Sequence, residues 1–228
     1  MSKPKFIAEV KVVSPFGFKS NYDAVTLTTM ALQYGDWISI HVDPLWRNQH
    51  DGAWALDYIK TCVKNGGHRA SKLLAKGLHK TDGEICDSMK AGADYVLVVG
   101  RMPNVKYLPN CLLEPLNSKQ LYMDDYVRAV NESAGLVLNR RDLLTGLERS
   151  KLCDGPHSWM THWTCVFDTD IKILRKFIKV PIIQASGIKS SNDILKGIDG
   201  YIVGENLPQF IINQRINKLY DYYGEEIR

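Results

Sequence analysis

The segment SKLLAKGLHKTDGEICDSMKAGADYVLVV (71–99) decides the fold, because it contains a complete strand–helix–strand unit. Its two apolar runs, SKLLAK (71–76) and DYVLVV (94–99), have the length and the Leu and Val content of buried strands. Between them, TDGEICDSMKA (81–91) has the pattern of an amphipathic helix that ends before Gly92. Two strands joined by a helix pair in parallel through a right-handed crossover, so this unit predicts an α/β fold.

The same alternation continues on both sides of this unit. Six further strands are predicted: FIAEVKVV (6–13), WISIHV (37–42), NCLLEP (110–115), GLVLN (135–139), VPIIQA (180–185) and GYIVG (200–204). Further helices are predicted over 23–34, 53–65, 168–178, 191–197 and 207–221. Eight such strands in one uninterrupted chain of 228 residues predict a single (β/α)8 TIM barrel spanning 1–228. A doubly wound open sheet is the alternative, but SPFGFKS after the first strand is not the GxGxxG that such a sheet favours.

Two connections depart from a regular barrel. The segment 100–109, between strands 4 and 5, is short and broken by proline, so no helix is predicted there. Residues 146–165 form a long irregular loop after strand 6 that contains two Trp and two His. Because it follows the carboxyl end of a strand, this loop is expected on the active-site side of the barrel.

Composition narrows the class of partner. The net charge of +4 is too small to predict binding to nucleic acid, but it is compatible with a small anionic ligand. No apolar run is long enough for a transmembrane helix, and the N-terminus does not have the pattern of a signal peptide. The five cysteines form no CxxC pair and the histidines no metal-ligand pattern, so we expect a cytoplasmic protein without a metal site. The oligomeric state is left open, and a monomer is compatible with the sequence.

Polar side chains stand at the ends of several predicted strands. Glu9 and Lys11 are two residues apart in the first strand and therefore project from the same face. The other strand-end side chains are Lys76, Glu114, Asn139 and Arg141. If all of them point into the barrel, charges converge at one mouth and suit acid–base chemistry on an anionic substrate. The alternative is that they face outward and are solvated.

Two glycine-containing turns follow the last two strands. The turn Ser186-Gly187-Ile188 follows strand 7, and Gly204-Glu205-Asn206 follows strand 8. In barrels of this kind, the loops after strands 7 and 8 frequently bind phosphate through backbone N–H groups. A glycine after a strand is also an ordinary turn residue, so both interpretations stay open.

Several short motifs occur in order along nearly the whole chain. They are IAEVKVVSPFG (7–17), SIHVDPLW (39–46), LLEPLNSKQL (112–121), LNRRDL (138–143), ASGI (185–188) and VGEN (203–206). They resemble AEIKxxSPSxG, SVLTDxxFF, LVEVHxxxEL, INNRDL, SESGI and VGESL of the indole-3-glycerol phosphate synthase family. In addition, Lys76 precedes Gly92 of AGADYVLVV as the lysine of that family's RKDF precedes GADxVLLI.

The resemblance implies a fold and an activity. The family has a (β/α)8 barrel and closes an indole ring from 1-(o-carboxyphenylamino)-1-deoxyribulose 5-phosphate, releasing CO2 and water without a cofactor. The implied catalytic roles are general acid for Lys76, acid–base group of the dehydration for Glu114, carboxylate binding for Lys11, and positioning for Glu9 and Asn139. The implied substrate- and phosphate-binding residues are Ser14, Arg141, Ser186, Gly187, Gly204 and Glu205.

The chain also departs from the family pattern. Ala185 stands where SESGI has its carboxylate, and only eight residues precede Glu9, where the family carries an extra helix over the aromatic end of the substrate. Two interpretations of the loop 146–165 stay open: it supplies that cover through Trp159, His162 or Trp163, or its aromatic side chains only pack the loop onto the barrel. Two alternatives therefore stay open: a diverged barrel enzyme acting on another phosphorylated, phosphoribosyl-type substrate, and a catalytically silent phosphate-ligand-binding protein.

Overall fold

The eight predicted strands form one closed parallel barrel. The computed structural model describes residues 3–14, 17–42, 61, 64, 72–116, 118–141 and 171–226. The strands are β1 (Lys5–Val10), β2 (Trp37–His41), β3 (Lys72–Lys76), β4 (Tyr95–Val99), β5 (Cys111–Glu114), β6 (Gly135–Asn139), β7 (Ile182–Ala185) and β8 (Gly200–Val203). Each strand pairs with its neighbour in sequence, and β8 pairs with β1 to close the barrel. The predicted (β/α)8 fold is confirmed.

Helices cover the outside of the barrel. In the described part of the chain they are α1 (Ala24–Tyr34), α2 (Asp82–Lys90), α3 (Asp124–Glu132), α4 (171–177) and α5 (Leu207–Glu226). Asp23 caps α1 by accepting a hydrogen bond from the backbone N–H of Thr26 at 2.7 Å. A reciprocal capping box between Thr81 and Glu84 begins α2. These caps explain why the predicted starts of both helices agree with the observed ones.

Three helix predictions need comment. The segment between β4 and β5 forms only a 3-10 helix, Val105–Asn110, in agreement with the shortening predicted there. The helix expected over 191–197 is wrong, because only the 3-10 turn Ser191–Asp193 forms. Side-chain bonds from Gln184 to the backbone of Asp193 and Leu195, both 2.9 Å, hold this segment as a turn. The helix α3 was not predicted. Within the predicted helix over 53–65 the structure describes Thr61 and Lys64 alone, and both are helical.

Alternation along the strands separates two apolar layers. On one face of each strand the side chains pack against the helices. Ile38 and Ile40 of β2 are examples. The other face fills the barrel, where Ile7, Leu74, Leu97, Leu112, Val137, Ile183, Ala185 and Ile202 form a closed cluster. Since side chains alternate with a period of two, the residues two positions after this inner layer also point into the barrel, at the carboxyl end. Glu9, Lys76, Glu114 and Asn139 hold such positions and are buried.

No helix in the described part of the chain combines the length and hydropathy that a membrane crossing requires.

Candidate functional site

A buried ion pair joins β1 to β3 at the carboxyl end of the barrel. The Nζ of Lys76 donates to both carboxylate oxygens of Glu9, at 3.0 Å each. Glu9 is only 3% exposed, and burial alone would raise the pKa of its carboxyl group. The neighbouring Lys76 and Lys11 cations outweigh burial and lower that pKa to about 2. Glu9 is therefore a permanent carboxylate at neutral pH, which orients Lys76 and cannot itself donate a proton.

A second buried pair connects β5 with β6. The side-chain amide of Asn139 donates to Oε1 of Glu114 at 3.0 Å. The amide oxygen of Asn139 accepts the backbone N–H of Arg141 at 3.0 Å. Asn139 is thereby fixed at both ends of its amide, and its N–H2 group is turned toward Glu114. A carboxyl group held in this way is suited to move a proton to or from a bound substrate.

Glu205 binds two cations at the mouth of the barrel. The guanidinium of Arg141 donates to Oε1 and Oε2 of Glu205 at 2.6 and 3.0 Å, a two-bond fork. The Nζ of Lys11 lies 3.2 Å from the same Oε1. Burial would raise the pKa of Glu205, but the hydrogen bonds from Arg141 and the charge of Lys11 lower it. The pKa of Lys11 is also lowered, because burial and the charge of Lys76 outweigh the nearby carboxylates.

A cavity of about 250 Å³ opens beside these groups. Polar side chains and the loops after β7 and β8 form most of its wall. Its lining residues are Glu9, Lys11, Arg141, Ser186, Gly187, Ile188, Lys189, Ile202, Gly204, Glu205 and Asn206. The cavity therefore contacts Glu9, the carboxylate partner of Lys76, and the cations at the mouth.

Backbone geometry shapes the loops after β7 and β8. Ser186 and Gly187 both have a positive φ, 64° and 71°, so the chain turns sharply after β7 and lines the cavity. A left-handed backbone at a serine is uncommon and is found most often near functional sites. At Gly204 the requirement is space, since a Cβ there would lie 3.0 Å from Cδ of Glu9 and closer still to its Oε2. Glycine at 204 thus leaves room for the buried carboxylate of Glu9.

His41 lies beside these charged groups, although it was not among the predicted site residues. It ends β2, the strand between the Glu9 and Lys76 strands, and is the registered neighbour of Lys76. Burial lowers the pKa of His41 to about 3, with help from the Lys76 and Lys11 charges and against the effect of Glu9. The imidazole is neutral at physiological pH. His41 is two residues after Ser39, which points into the barrel, so both side chains lie on the same face of β2. This spacing is the sequence signal that places His41 at the site.

The predicted site residues fall into three groups. Those brought together are Glu9, Lys11, Lys76, Glu114, Asn139, Arg141, Ser186, Gly187, Gly204 and Glu205. Ser14 is buried in the loop after β1, where its backbone bonds to Phe18 and Gly17, and it is not among the residues that line the cavity. The loop 146–165, with Trp159, His162 and Trp163, lies outside the described residues.

Ala185 lies at the position of the missing carboxylate. It is fully buried in the inner apolar layer and pairs in register with Asn139 of β6. The neighbouring Gln184 points the other way, toward the turn 191–195, so it does not replace that carboxylate.

Among the described residues, no group of His, Cys, Asp and Glu is arranged to hold a metal ion. No protein-family model and no curated protein sequence matches this chain. The family resemblance therefore stays a prediction that rests on the quoted motifs, and the closed barrel supports its fold alone.

Proposed function

We propose that this protein closes an indole ring on 1-(o-carboxyphenylamino)-1-deoxyribulose 5-phosphate, with loss of CO2 and water. The observation that carries the proposal is the Glu9–Lys76 ion pair beside a polar cavity at the carboxyl mouth of the barrel. A barrel needs no buried charge at this place for its stability, because apolar replacements of a buried pair are commonly neutral or stabilising. A buried ammonium that is oriented by a carboxylate on the wall of a cavity suits proton donation to a bound carbonyl.

In the proposed reaction, Lys76 is the general acid of ring closure. The aromatic carbon that bears the carboxylate forms a bond to the carbonyl carbon, while the ammonium of Lys76 protonates the carbonyl oxygen. Glu9 holds the ammonium by two hydrogen bonds of 3.0 Å and remains ionised throughout. The carboxylate then leaves as CO2, and the ring carbon returns to aromatic bonding.

Other members of the site serve the remaining steps. Lys11 binds the carboxylate before it leaves, since it is a cation on the wall of the cavity. Glu114, oriented by Asn139, protonates the new hydroxyl so that it leaves as water. The adjacent ring CH2 then loses a proton to the neutral amine that Lys76 became on ring closure, which forms the second double bond of the five-membered ring and restores the ammonium. The loops after β7 and β8 receive the phosphate through the backbone at Gly187 and Gly204.

A second candidate is a related reaction on a different phosphorylated substrate. It is favoured by Ala185, because a fully buried methyl group stands in the inner layer where the family resemblance implies a carboxylate. A substrate without the o-carboxyphenyl group makes different contacts with the part of the site where Ala185 stands. The Lys76 and Glu114 chemistry is the same in both candidates. A catalytically silent binding protein is the third, and it differs from both by having no turnover.

The test is indole formation by the purified protein, followed through the fluorescence of the product. The variants are Lys76→Ala and, as a matched control, Lys72→Ala, which removes an exposed lysine from the opposite end of the same strand. Turnover in the wild type and in Lys72→Ala, with at least about 100-fold loss in Lys76→Ala, is the expected result. Absence of turnover in a folded wild-type protein would overturn the synthase proposal, and phosphate binding by that protein would favour the second or third candidate.

A further inference from the structure

The two cations at the mouth of the barrel are already bound by a carboxylate of the protein. Glu205 accepts both forks of the Arg141 guanidinium and the Nζ of Lys11. A two-bond fork is also the way in which arginine binds phosphate and carboxylate ligands. Glu205 thus makes the contacts that an anionic ligand of this cavity requires.

The balance of charges in the site also makes bound Glu205 an obstacle to an anionic ligand. Three carboxylates, Glu9, Glu114 and Glu205, lie with the three cations Lys11, Lys76 and Arg141 in the connected site. The connected cluster is therefore balanced as long as Glu205 remains bound, and the exposed Lys189 on the cavity wall adds one positive charge to what an incoming phosphate dianion meets. If Glu205 moves aside, the ligand meets two cations that are largely shielded from water, and such cations attract an anion strongly.

Glu205 is the member of this cluster that is placed to move. Its side chain is 21% exposed, whereas the Glu9 carboxylate is 3% exposed. It lies in the turn between β8 and α5, at the wall of the cavity, and its side chain bonds to the two cations. On exchange, the phosphate pairs with Arg141 and the substrate carboxylate pairs with Lys11, so neither cation is left buried without a counter-ion.

We propose that Glu205 is an internal competitor for the phosphate subsite, which a phosphorylated ligand displaces from Arg141 and Lys11 when it binds. The inference rests on the proposed function in so far as that function brings a phosphate group to this cavity. Displacement weakens the binding of every anion, so a small anion such as inorganic phosphate fills the subsite poorly. A phosphorylated substrate offsets the displacement through contacts made by the rest of the molecule. Departure of Glu205 also releases Lys11 to bind the substrate carboxylate.

The alternative is that Glu205 is a structural residue that stays bound to Arg141 and Lys11, and this role predicts the opposite change in phosphate affinity. If Glu205 stays in place to hold Arg141 and Lys11 in position, phosphate must bind through the backbone of the two loops alone. Removal of the carboxylate then disorders the two cations and weakens the site. The two roles are separated by the direction in which phosphate affinity changes.

The experiment is calorimetric titration of inorganic phosphate, repeated with sulfate, into the wild type, Glu205→Gln and a control. Glu132→Gln is the matched control, because it removes one exposed carboxylate at the end of α3. We expect Glu205→Gln to bind phosphate at least about tenfold more tightly than the wild type, with no change in the control. Unchanged or weaker binding in Glu205→Gln, or binding in none of the proteins, would overturn the inference.

Two additions keep the result decisive. If Glu205→Gln does not fold, Glu205→Asp replaces it, since a carboxylate one methylene shorter reaches the fork poorly and must also tighten phosphate binding. The titration needs no turnover, so its outcome is independent of the indole assay. Tighter phosphate binding with no indole formation supports the role of Glu205 and rejects the synthase reaction, and the reverse result rejects only the role of Glu205.

Discussion

The ammonium of Lys76 reaches across β2 to bind both carboxylate oxygens of Glu9, each at 3.0 Å, in a nearly water-free layer of the barrel. On the intervening strand β2, Glu9 pairs in register with Ser39, and Lys76 pairs with His41. Neither of these two β2 residues is charged at neutral pH. The pair therefore depends on the curvature of the sheet over β1, β2 and β3, and its two members are 67 positions apart in the chain.

This pair predicts strong coupling between two substitutions. Glu9→Gln and Lys76→Met each leave one buried charge without its partner, which costs about 3–5 kcal/mol of unfolding free energy. The double variant must cost clearly less than the sum, because no unpaired charge remains. Urea unfolding at neutral pH measures all three. Additive costs would show that the pair is not coupled in solution.

An exposed pair on the same strand provides the control. Lys72 binds Asp94 at 2.8 Å, with half of the lysine side chain exposed to solvent. Lys72→Met is therefore expected to change stability far less than Lys76→Met, although both remove a lysine ion pair from β3.

His41 predicts a particular dependence of stability on pH. Its pKa is lowered from 6.5 to about 3 in the folded protein, mainly by burial, so the unfolded chain takes up a proton at a higher pH than the folded one. Its effect is absent above pH 6.5 and destabilises the fold progressively as the pH falls from 6.5 toward 3. Between pH 6.5 and 4.5 the loss attributable to His41 is about 2 kcal/mol.

The measurement is urea unfolding of the wild type and of His41→Gln from pH 8 to pH 4.5. The variant is expected to lose less stability than the wild type over this range, since glutamine does not titrate. Glu9 does not confuse the comparison, because its pKa is lowered from 4.5 to about 2 and its contribution is lost only below pH 4.5. Equal slopes in the two proteins would contradict the burial of a neutral imidazole.

Much of the site was accessible to sequence reasoning, and the reason is the parity of strands. Once eight strands were predicted, the period of two placed Glu9, Lys76, Glu114 and Asn139 on inward faces at the carboxyl end. The pairing of these groups was not accessible. Whether Lys76 or Lys11 binds Glu9 depends on barrel curvature, and the position of Glu205 depends on a turn whose side-chain direction has no sequence signal.

Errors in the helices have a local cause. The segment 191–197 has a helical pattern, but Gln184 binds its backbone at two points and holds a turn. Tertiary contacts of this kind override local propensity. The helix α3 is the opposite case, a helix that forms but was not predicted. Its buried residues Tyr126, Ala129 and Val130 have helical spacing, so the sequence does carry a helix signal there.

The close approach of Gly204 to Glu9 predicts that one added methyl group at position 204 perturbs the buried Glu9–Lys76 pair. In Gly204→Ala the new Cβ would overlap the Glu9 carboxylate, so either Glu9 or the turn after β8 must shift. Overpacking of this kind costs about 1–3 kcal/mol of unfolding free energy. In the synthase assay, turnover should fall as well, because displacement of Glu9 misplaces Lys76.

Gly83→Ala is the matched control for this substitution. Gly83 lies in the first turn of α2, where a Cβ would meet nothing closer than Thr81 Oγ1 at 3.7 Å. Alanine is the better helix former, so Gly83→Ala should leave turnover unchanged and leave stability unchanged or higher, by up to about 1 kcal/mol. Equal effects of the two substitutions would argue against close packing of Gly204 on Glu9.

The bond between Asn139 and Glu114 predicts a shift in the pH profile of the proposed reaction. Asn139→Asp replaces the N–H2 donor to Glu114 by a second carboxylate and keeps the acceptor for the backbone of Arg141. Two carboxylates in one buried site do not both ionise readily, so the pair retains a proton to a higher pH than in the wild type. Because Glu114 must carry a proton to act as the acid of the dehydration, the basic limb of kcat/KM must therefore move to higher pH, with a lower maximum.

Asn131→Asp separates this effect from a general loss of stability. Asn131 also uses both ends of its amide, donating to the carbonyl of Phe177 and accepting from the backbone of Lys179, but it lies at the far end of the barrel in α3. It is expected to lower stability without moving the pH profile, because it is remote from Glu114. If both variants had the wild-type basic limb, Glu114 would not be the group whose loss of a proton limits the reaction at high pH, and the acid–base role proposed for it would have to be assigned to another residue of the site.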